Sequence, residues 1–426
     1  MVAIGGALCK LFFDCGLHNG ARYDEGHLKS LAAPGLRTKL PAGFTEGVVA
    51  GGLTFPTDFA FLPDGRLLVA EKHGIVRIFE NGRALTRPFV DLSSRVDTDG
   101  YRGLLAVQVD PEFVTNHYVY LLYVRKSTGS AGAPTTVRLA RVTAAGDFAR
   151  PGSEQTLLGA AGKGSCLDLP RGSDCIPSDR DHNGGDVVFA QDGTLFVSTG
   201  DGGGRDDLIE PTALGAQDVD YLGGKILHIT REGKGVSSNP FWNGDEDANR
   251  SKVWAYGLRN PFRFTLRPGS GVPYVGDVGA GMWEEIDVAT RGANLGWPCY
   301  EGRTRYRRYG RTSECRALYA KGPAAIRMPA LAYRHGTPTG GQSVTGGVFY
   351  TGTNAPERYR GGYVYGDWEF GWLRILRFDR TGRVVGSPER FATDAQGPVS
   401  IQNGPDGALY FLAINASELR RIANSA

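Results

Sequence analysis

A short unit that recurs at wide intervals limits what this 426-residue chain can fold into. A tight turn followed by an apolar run occurs as Pro63-Asp64-Gly65-Arg66-Leu67-Leu68-Val69, as Gln191-Asp192-Gly193-Thr194-Leu195-Phe196-Val197, and as Pro405-Asp406-Gly407-Ala408-Leu409-Tyr410-Phe411. Asp-Gly supplies the positive φ that a tight hairpin needs, and the run after it is apolar and β-prone. A second strand follows each, as in Gly74-Ile75-Val76-Arg77-Ile78-Phe79. Composition agrees: 62 Gly and 23 Pro together make 85 of 426 residues. That is about 20%, against an average near 12%. Both residues are costly inside helices, so a helical bundle is excluded. Aromatic residues at 10% and a net charge of only +3 argue against disorder.

Three further segments repeat strand–turn–strand without the Asp-Gly signature: 118–124 with 136–142, 253–288, and 346–378. The six units centre near residues 70, 125, 205, 270, 360 and 410. Recurring sheets without a helical period predict an all-β fold, a six-bladed β-propeller of four-stranded antiparallel blades with long loops on one face. A β-sandwich is the competing architecture, but it seldom holds this many strand pairs. Closure would pair residues near Thr45–Ala50 with the last blade, Ala408–Ile422. Residues 41–426 are then one propeller domain, and residues 1–40 an extension unlike the rest. The longest insertions, where function is expected, are 144–185, 201–223, 232–251 and 295–345.

Six cysteines form three close pairs, Cys9/Cys15, Cys166/Cys175 and Cys299/Cys315, none with zinc-finger or C-x-x-C spacing. Local pairing in Gly-rich loops fits disulfides and hence a secreted or periplasmic compartment, with reduced buried thiols as the alternative. The run Val2–Phe13 is broken by Lys10 and makes a poor signal peptide. No window reaches the roughly 18 apolar residues of a membrane span. Near-balanced charge gives no reason to expect nucleic acid. The Arg/Tyr-rich run Arg303–Arg311 reads as a solvated loop before any anionic partner.

Three segments could carry chemistry. His182, in Asp181-His182-Asn183-Gly184-Gly185, and Asp201, in Gly200-Asp201-Gly202-Gly203-Gly204, would meet at one end of a hairpin. A carboxylate beside imidazole fixes its tautomer and raises its basicity, as a general base requires. A surface loop pair is the bland alternative, but the flanking glycines permit close ligand approach. Arg259 and Asn260 stand at a strand-to-turn junction before Pro261, where Arg offers a planar fork to carboxylate or quinone oxygens, or an inter-blade salt bridge. The run Tyr274–Asp287 packs carboxylates around glycines, and hard cations such as Ca²⁺ take carboxylate and carbonyl oxygens.

Together and in this order, these segments resemble the soluble quinoprotein sugar dehydrogenases. This is the glucose/sorbosone dehydrogenase family, which also includes aldose sugar dehydrogenases and the propellers of hedgehog-interacting proteins. The likeness runs from about Pro41 to Ile422. It includes Phe55–Gly65, Gly103-Leu104-Leu105, Asp110-Pro111-Glu112-Phe113, His182–Gly185, Gly200-Asp201-Gly202, Leu258–Pro261, Asn294–Pro298 and Thr345-Gly346-Gly347. The resemblance implies a propeller holding pyrroloquinoline quinone (PQQ) on one face, with Ca²⁺ beneath the quinone. His182 matches the general base, Asp201 the carboxylate that orients it, and Asp181 the acid beside it. Arg259 and Asn260 match the pair that bonds the quinone oxygens. The carbonyls of Gly279 and Ala280 match the cofactor calcium position, and Glu285 with the carbonyl of Leu295 a separate structural calcium.

Departures fall on the residues that hold the cofactor carboxylates. Tyr101 stands where the family carries Gln, Glu369 in place of a Lys, and Gly397 and Val399 in place of two Arg. Arg102, Arg334, His335 and Arg360 are candidate substitute cations, and Trp368 or Tyr101 could stack on a ligand or simply pack between blades. The leading expectation is a PQQ- and calcium-dependent dehydrogenase of an aldose or related alcohol with an external electron acceptor, acting as monomer or homodimer. The alternatives are a PQQ-less, calcium-dependent hydrolase or lactonase, and a ligand-binding module.

Overall fold

The computed structural model describes residues 36–425 apart from 128–134, 162–164, 205–207, 337–339 and 353–354; the Cys9/Cys15 pair and most of the 1–40 extension lie outside the described residues. Besides one two-stranded ribbon, Tyr300–Glu301 with Thr304–Arg305, the described residues form six antiparallel blade sheets, mostly four-stranded. Their first strands are Pro56–Phe61, Leu104–Val109, Gly184–Phe189, Pro261–Leu266, Val344–Phe349 and Pro398–Asn403. Each contacts the next and the last contacts the first, so the six form a closed ring around a central axis. Radial repetition leaves each blade only a short outer edge strand. The sixth blade is completed by the strand that precedes blade 1: Phe44–Ala50 pairs antiparallel with Glu418–Asn424. The expected closure is therefore observed.

The three Asp-Gly turns behave as read. Gly65, Gly193 and Gly407 all have positive φ, between 76° and 87°, and each joins the first two strands of its blade. Three segments differ from expectation. The segment 253–288 is not one unit, because Val253–Tyr256 is the outer strand of blade 3 and Pro261 begins blade 4. Both halves are apolar and β-prone, so periodicity cannot show which sheet a strand joins. Nor is 295–345 all loop, because Leu331–Arg334 returns to pair with Trp283–Val288 as the outer strand of blade 4. Likewise 144–185 contributes Gln155–Leu158 and Ile176–Ser178 to the edge of blade 2.

Apolar clusters fill the spaces between neighbouring blades, as where Leu105, Tyr120 and Val137 of blade 2 meet Val187, Val197 and Leu227 of blade 3. The axis, by contrast, is polar. Arg263, on the first strand of blade 4 and 4% exposed, donates to the carbonyls of Thr57, Leu105, Gly185 and Val399. Those four belong to blades 1, 2, 3 and 6. Asp58 and Asp186 are buried around the same guanidinium. One planar fork with five donors thus ties the ring together across its centre.

Candidate functional site

Blade 3 places the candidate base. His182 precedes the first strand and Asp201 follows the second. Register pairing of Gly184 with Thr199 brings both to the same end of the propeller. Nδ1 of His182 lies 3.0 Å from Oδ1 of Asp201, and both side chains are buried, at 6% and 0% exposure. With Nδ1 donating to the carboxylate, Nε2 is the basic nitrogen. His182 itself sits at φ +42°, a strained position for a residue with a side chain. Glycine makes the close approach feasible: a Cβ on Gly200 would lie 1.9 Å from the His182 carbonyl oxygen, and one on Gly203 3.0 Å from His182 Nδ1.

Asp201 is held from every side. Its Oδ1 also accepts from the Gly203 amide at 2.7 Å, its Oδ2 from Trp297 Nε1 at 2.7 Å, and its own N–H donates to the Arg259 carbonyl. Trp297 arrives from blade 4. After Val288 the chain climbs beside the outer strand of blade 3, bridging Asn294 to Tyr256 in parallel, and reaches the site end at Trp297. The excursion is closed by the Cys299–Cys315 disulfide and a cluster of Trp297, Tyr300, Tyr309, Cys315 and Leu318. A second disulfide, Cys166–Cys175, ties the insertion of blade 2.

Arg259 and Asn260 occupy the crossing from blade 3 to blade 4. Both amides donate to Asp277, at 3.0 and 2.7 Å. The Arg259 guanidinium donates to the Val278 carbonyl and lies 5.6 Å over the Trp297 ring. Asn260 Oδ1 accepts from the Gly184 amide at 3.0 Å, which couples the Arg259 loop to the His182 loop. Burial pushes the Asp277 carboxyl up to about 6, even against the two amides and Arg259.

A small cavity beside the dyad is lined by Arg259, Asp277, Gly279, Glu285, Leu295 and Glu301. Four of these were singled out in the sequence, and Glu301 was not. Its Oε1 accepts from the amides of Ala280, Gly281, Met282 and Trp283 at 2.9–3.2 Å, while its buried Oε2 has no partner. Glu285 is held well above the usual carboxylate range by burial, Asp287 and Asp277. Among the described residues no three His, Cys, Asp or Glu side chains form a metal-ligand group. A cation here would therefore rely on main-chain carbonyls, as calcium sites allow. Beside such carbonyls the cavity offers the unpartnered Glu301 oxygen, whereas both Asp277 oxygens already accept amides and Glu285 accepts from the Gly302 amide.

The other candidates are dispersed. Asp181 is half-buried beside His182. Tyr101 is 47% exposed, its amide bonded to the Arg180 carbonyl. Arg102 is engaged by Asp97, Asp99 and Asp179. Arg334 lies over Trp283, His335 pairs with Glu284, and Arg360 donates to the Ala355 carbonyl. Trp368 packs against the cluster that holds Val399, and a Cβ on Gly397 would lie 3.0 Å from its ring. Val399 is thus a core residue and Gly397 a close-packed turn, with no room for the two missing cations. Glu369 is exposed. The residues present therefore gather an imidazole–carboxylate dyad, a guanidinium and an unpartnered carboxylate oxygen at the His182–Arg259 end, and offer little positive charge to a tricarboxylate elsewhere.

A closed six-bladed propeller carrying a buried imidazole–carboxylate dyad beside a carboxylate-lined cavity defines the class of protein. Residues 53–421 match the family model described as glucose/sorbosone dehydrogenase, and the chain belongs to that family. Aldose sugar dehydrogenase YliI of Escherichia coli is 28% identical over 392 residues, covering 90% of this chain and 94% of the relative. The crystal structure of the soluble aldose sugar dehydrogenase from Escherichia coli in its apo form superposes with a TM-score of 0.70 at 24% identity, over 89% of this chain and 99% of that one. The PQQ-bound aldose sugar dehydrogenase from Streptomyces coelicolor gives 0.65 at 21% identity, over 90% and 99%. Likenesses at these two identities speak for the fold alone.

Proposed function

We propose that the protein is a PQQ- and calcium-dependent dehydrogenase that oxidises an aldose or a related alcohol outside the cytoplasm. The observation that carries this reading is the buried His182–Asp201 dyad, whose second carboxylate oxygen is held by Trp297. Nε2 of His182 takes the proton of the substrate hydroxyl, and Asp201 steadies the imidazolium that results. When bound, PQQ supplies the two-electron acceptor for the hydride from the same carbon. His182, Arg259 and Asn260 would hold its quinone end, with Gly279 and Ala280 carbonyls at the accompanying calcium. Arg259, buried beside Trp297, provides fixed positive charge where negative charge would gather. Glu285, Glu301 and the Leu295 carbonyl would hold a second calcium. The two disulfides support an oxidising compartment.

The test adds PQQ and Ca²⁺ to purified protein and follows quinone absorbance and dye reduction with a panel of aldoses. Turnover that disappears in His182→Ala is expected, and absence of PQQ binding at micromolar concentration would refute the reading. One observation favours a second reading. Tyr101, Glu369, Gly397 and Val399 leave few cations for a tricarboxylate, which suits a PQQ-less hydrolase using the same dyad. Calcium-dependent lactone turnover without PQQ would establish it.

A further inference from the structure

The excursion that delivers Trp297 to Asp201 carries on its outer side the strongest charge concentration in the chain. Residues 303–316 hold six arginines and one glutamate, a net of +5, whereas the whole chain is at +3. Everything outside those fourteen residues therefore sums to −2. All six arginines are exposed. Arg303 is turned to the Pro329 and Ala330 carbonyls and Arg305 lies over the Tyr319 ring. Arg307, Arg308, Arg311 and Arg316 form no ion pair among the described residues. Exposed arginines without an ion pair also occur singly elsewhere among the described residues, as at Arg83, Arg150 and Arg291, but only here do four stand within ten residues.

Two features make this more than a solvated run. The segment is stapled by Cys299–Cys315 and by its own aromatic cluster, so little chain entropy is left to lose on binding. It also borders an apolar knuckle: Leu208 and Ile209 are 46% and 51% exposed, and Tyr309 bonds the backbone there through the Glu210 amide at 3.1 Å. Exposed apolar side chains next to unpaired arginines match the centre and rim of a protein interface. The same excursion reaches the dyad through Trp297.

We infer that this face is the docking surface for an acidic, one-electron redox protein that reoxidises the site. The inference rests on the dehydrogenase reading above. Oxidation of one aldose to its lactone releases two electrons and two protons. The protons pass to water, and the electrons go one each to two acceptor molecules that dock in succession. Opposite charge steers such encounters and raises their rate by about 10 to 10³-fold at low salt.

The experiment compares wild type with Arg307→Glu/Arg308→Glu/Arg311→Glu, and with the milder triple change to Gln should the first not fold. Binding of an acidic c-type cytochrome and of a basic one is measured directly at low and physiological salt, alongside dye reduction with a neutral dye. Expected results are salt-sensitive binding of the acidic cytochrome only, a loss of about tenfold or more in the triple variants, and unchanged turnover with the neutral dye. Equal binding by wild type and variants would overturn the inference. So would duplex DNA or anionic vesicles binding as tightly as the acidic cytochrome. Binding needs no turnover, so a failed PQQ test with arginine-dependent docking would sink the dehydrogenase reading and leave the surface standing.

Discussion

Replacing Arg263 by Met should loosen the whole ring, and its size can be worked from the contacts. The change removes donors from the carbonyls of Thr57, Leu105 and Val399 at 2.6–3.1 Å, and from that of Gly185. It also strips the counter-charge from Asp58 and Asp186, which are 3% and 8% exposed. Removing one partner of a buried charge network costs about 3–5 kcal/mol, and orphaned carbonyls add about 1 kcal/mol each. Packing of the Met side chain recovers about 1–2 kcal/mol, which leaves about 5–8 kcal/mol. With an unfolding entropy of about 2.1 cal/mol/K per residue over roughly 390 residues, that lowers Tm by about 6–10 °C in differential scanning calorimetry. The loss should depend on pH. Burial raises both carboxyls above their ordinary range, and Arg263 opposes the rise. A raised carboxyl binds more protons in the folded than in the unfolded state, so its stability contribution falls as pH rises through the interval between its two pKa values. Without Arg263 that interval widens upward. The deficit should therefore be larger at pH 8 than at pH 5. A Tm loss under about 2 °C, which is below half of any reasonable sum of these terms, or a deficit independent of pH, would refute the axle argument.

Asp201→Asn should leave the fold intact and lower kcat by about 10³–10⁴-fold, because an amide facing Nδ1 favours the wrong imidazole tautomer; steady-state dye reduction reads it. Calcium added to chelator-treated protein should raise Tm by an amount that grows with its concentration, and Glu301→Gln should abolish the shift, which thermal denaturation without cofactor will show. Glu369→Lys should tighten PQQ binding in fluorescence titration by about tenfold at low salt, since it replaces a negative charge by a positive one near an anionic ligand. No change would mean that Glu369 lies away from the ligand.

Some of this was legible because the physics is local. Gly65, Gly193 and Gly407 announce hairpins since a positive φ is a property of the residue itself. The pairing of His182 with Asp201 could also be anticipated, because one hairpin fixes which two ends meet. Other parts escaped because they depend on chain segments far apart. Glu301 reads as an ordinary loop acid, yet it caps four amides some twenty residues upstream, a contact created only when the excursion returns. Trp297 was visible as part of a motif, but its bond to Asp201, 96 positions away, was not. Arg263 showed only as a lone Arg inside an apolar strand, which does not say that it reaches four other blades.

The sequence by itself determined the repeated hairpins, their number and the residue types of the dyad, since these follow from backbone sterics and strand periodicity. Only the tertiary structure decided that six separate strands share one axis, that Arg263 fills it, and that Arg102 is spent on three aspartates. It also decided that the arginines of 303–316 stay exposed on the excursion that carries Trp297 to Asp201. The reason is physical: closing a ring fixes distances between residues hundreds of positions apart, and no local propensity encodes them.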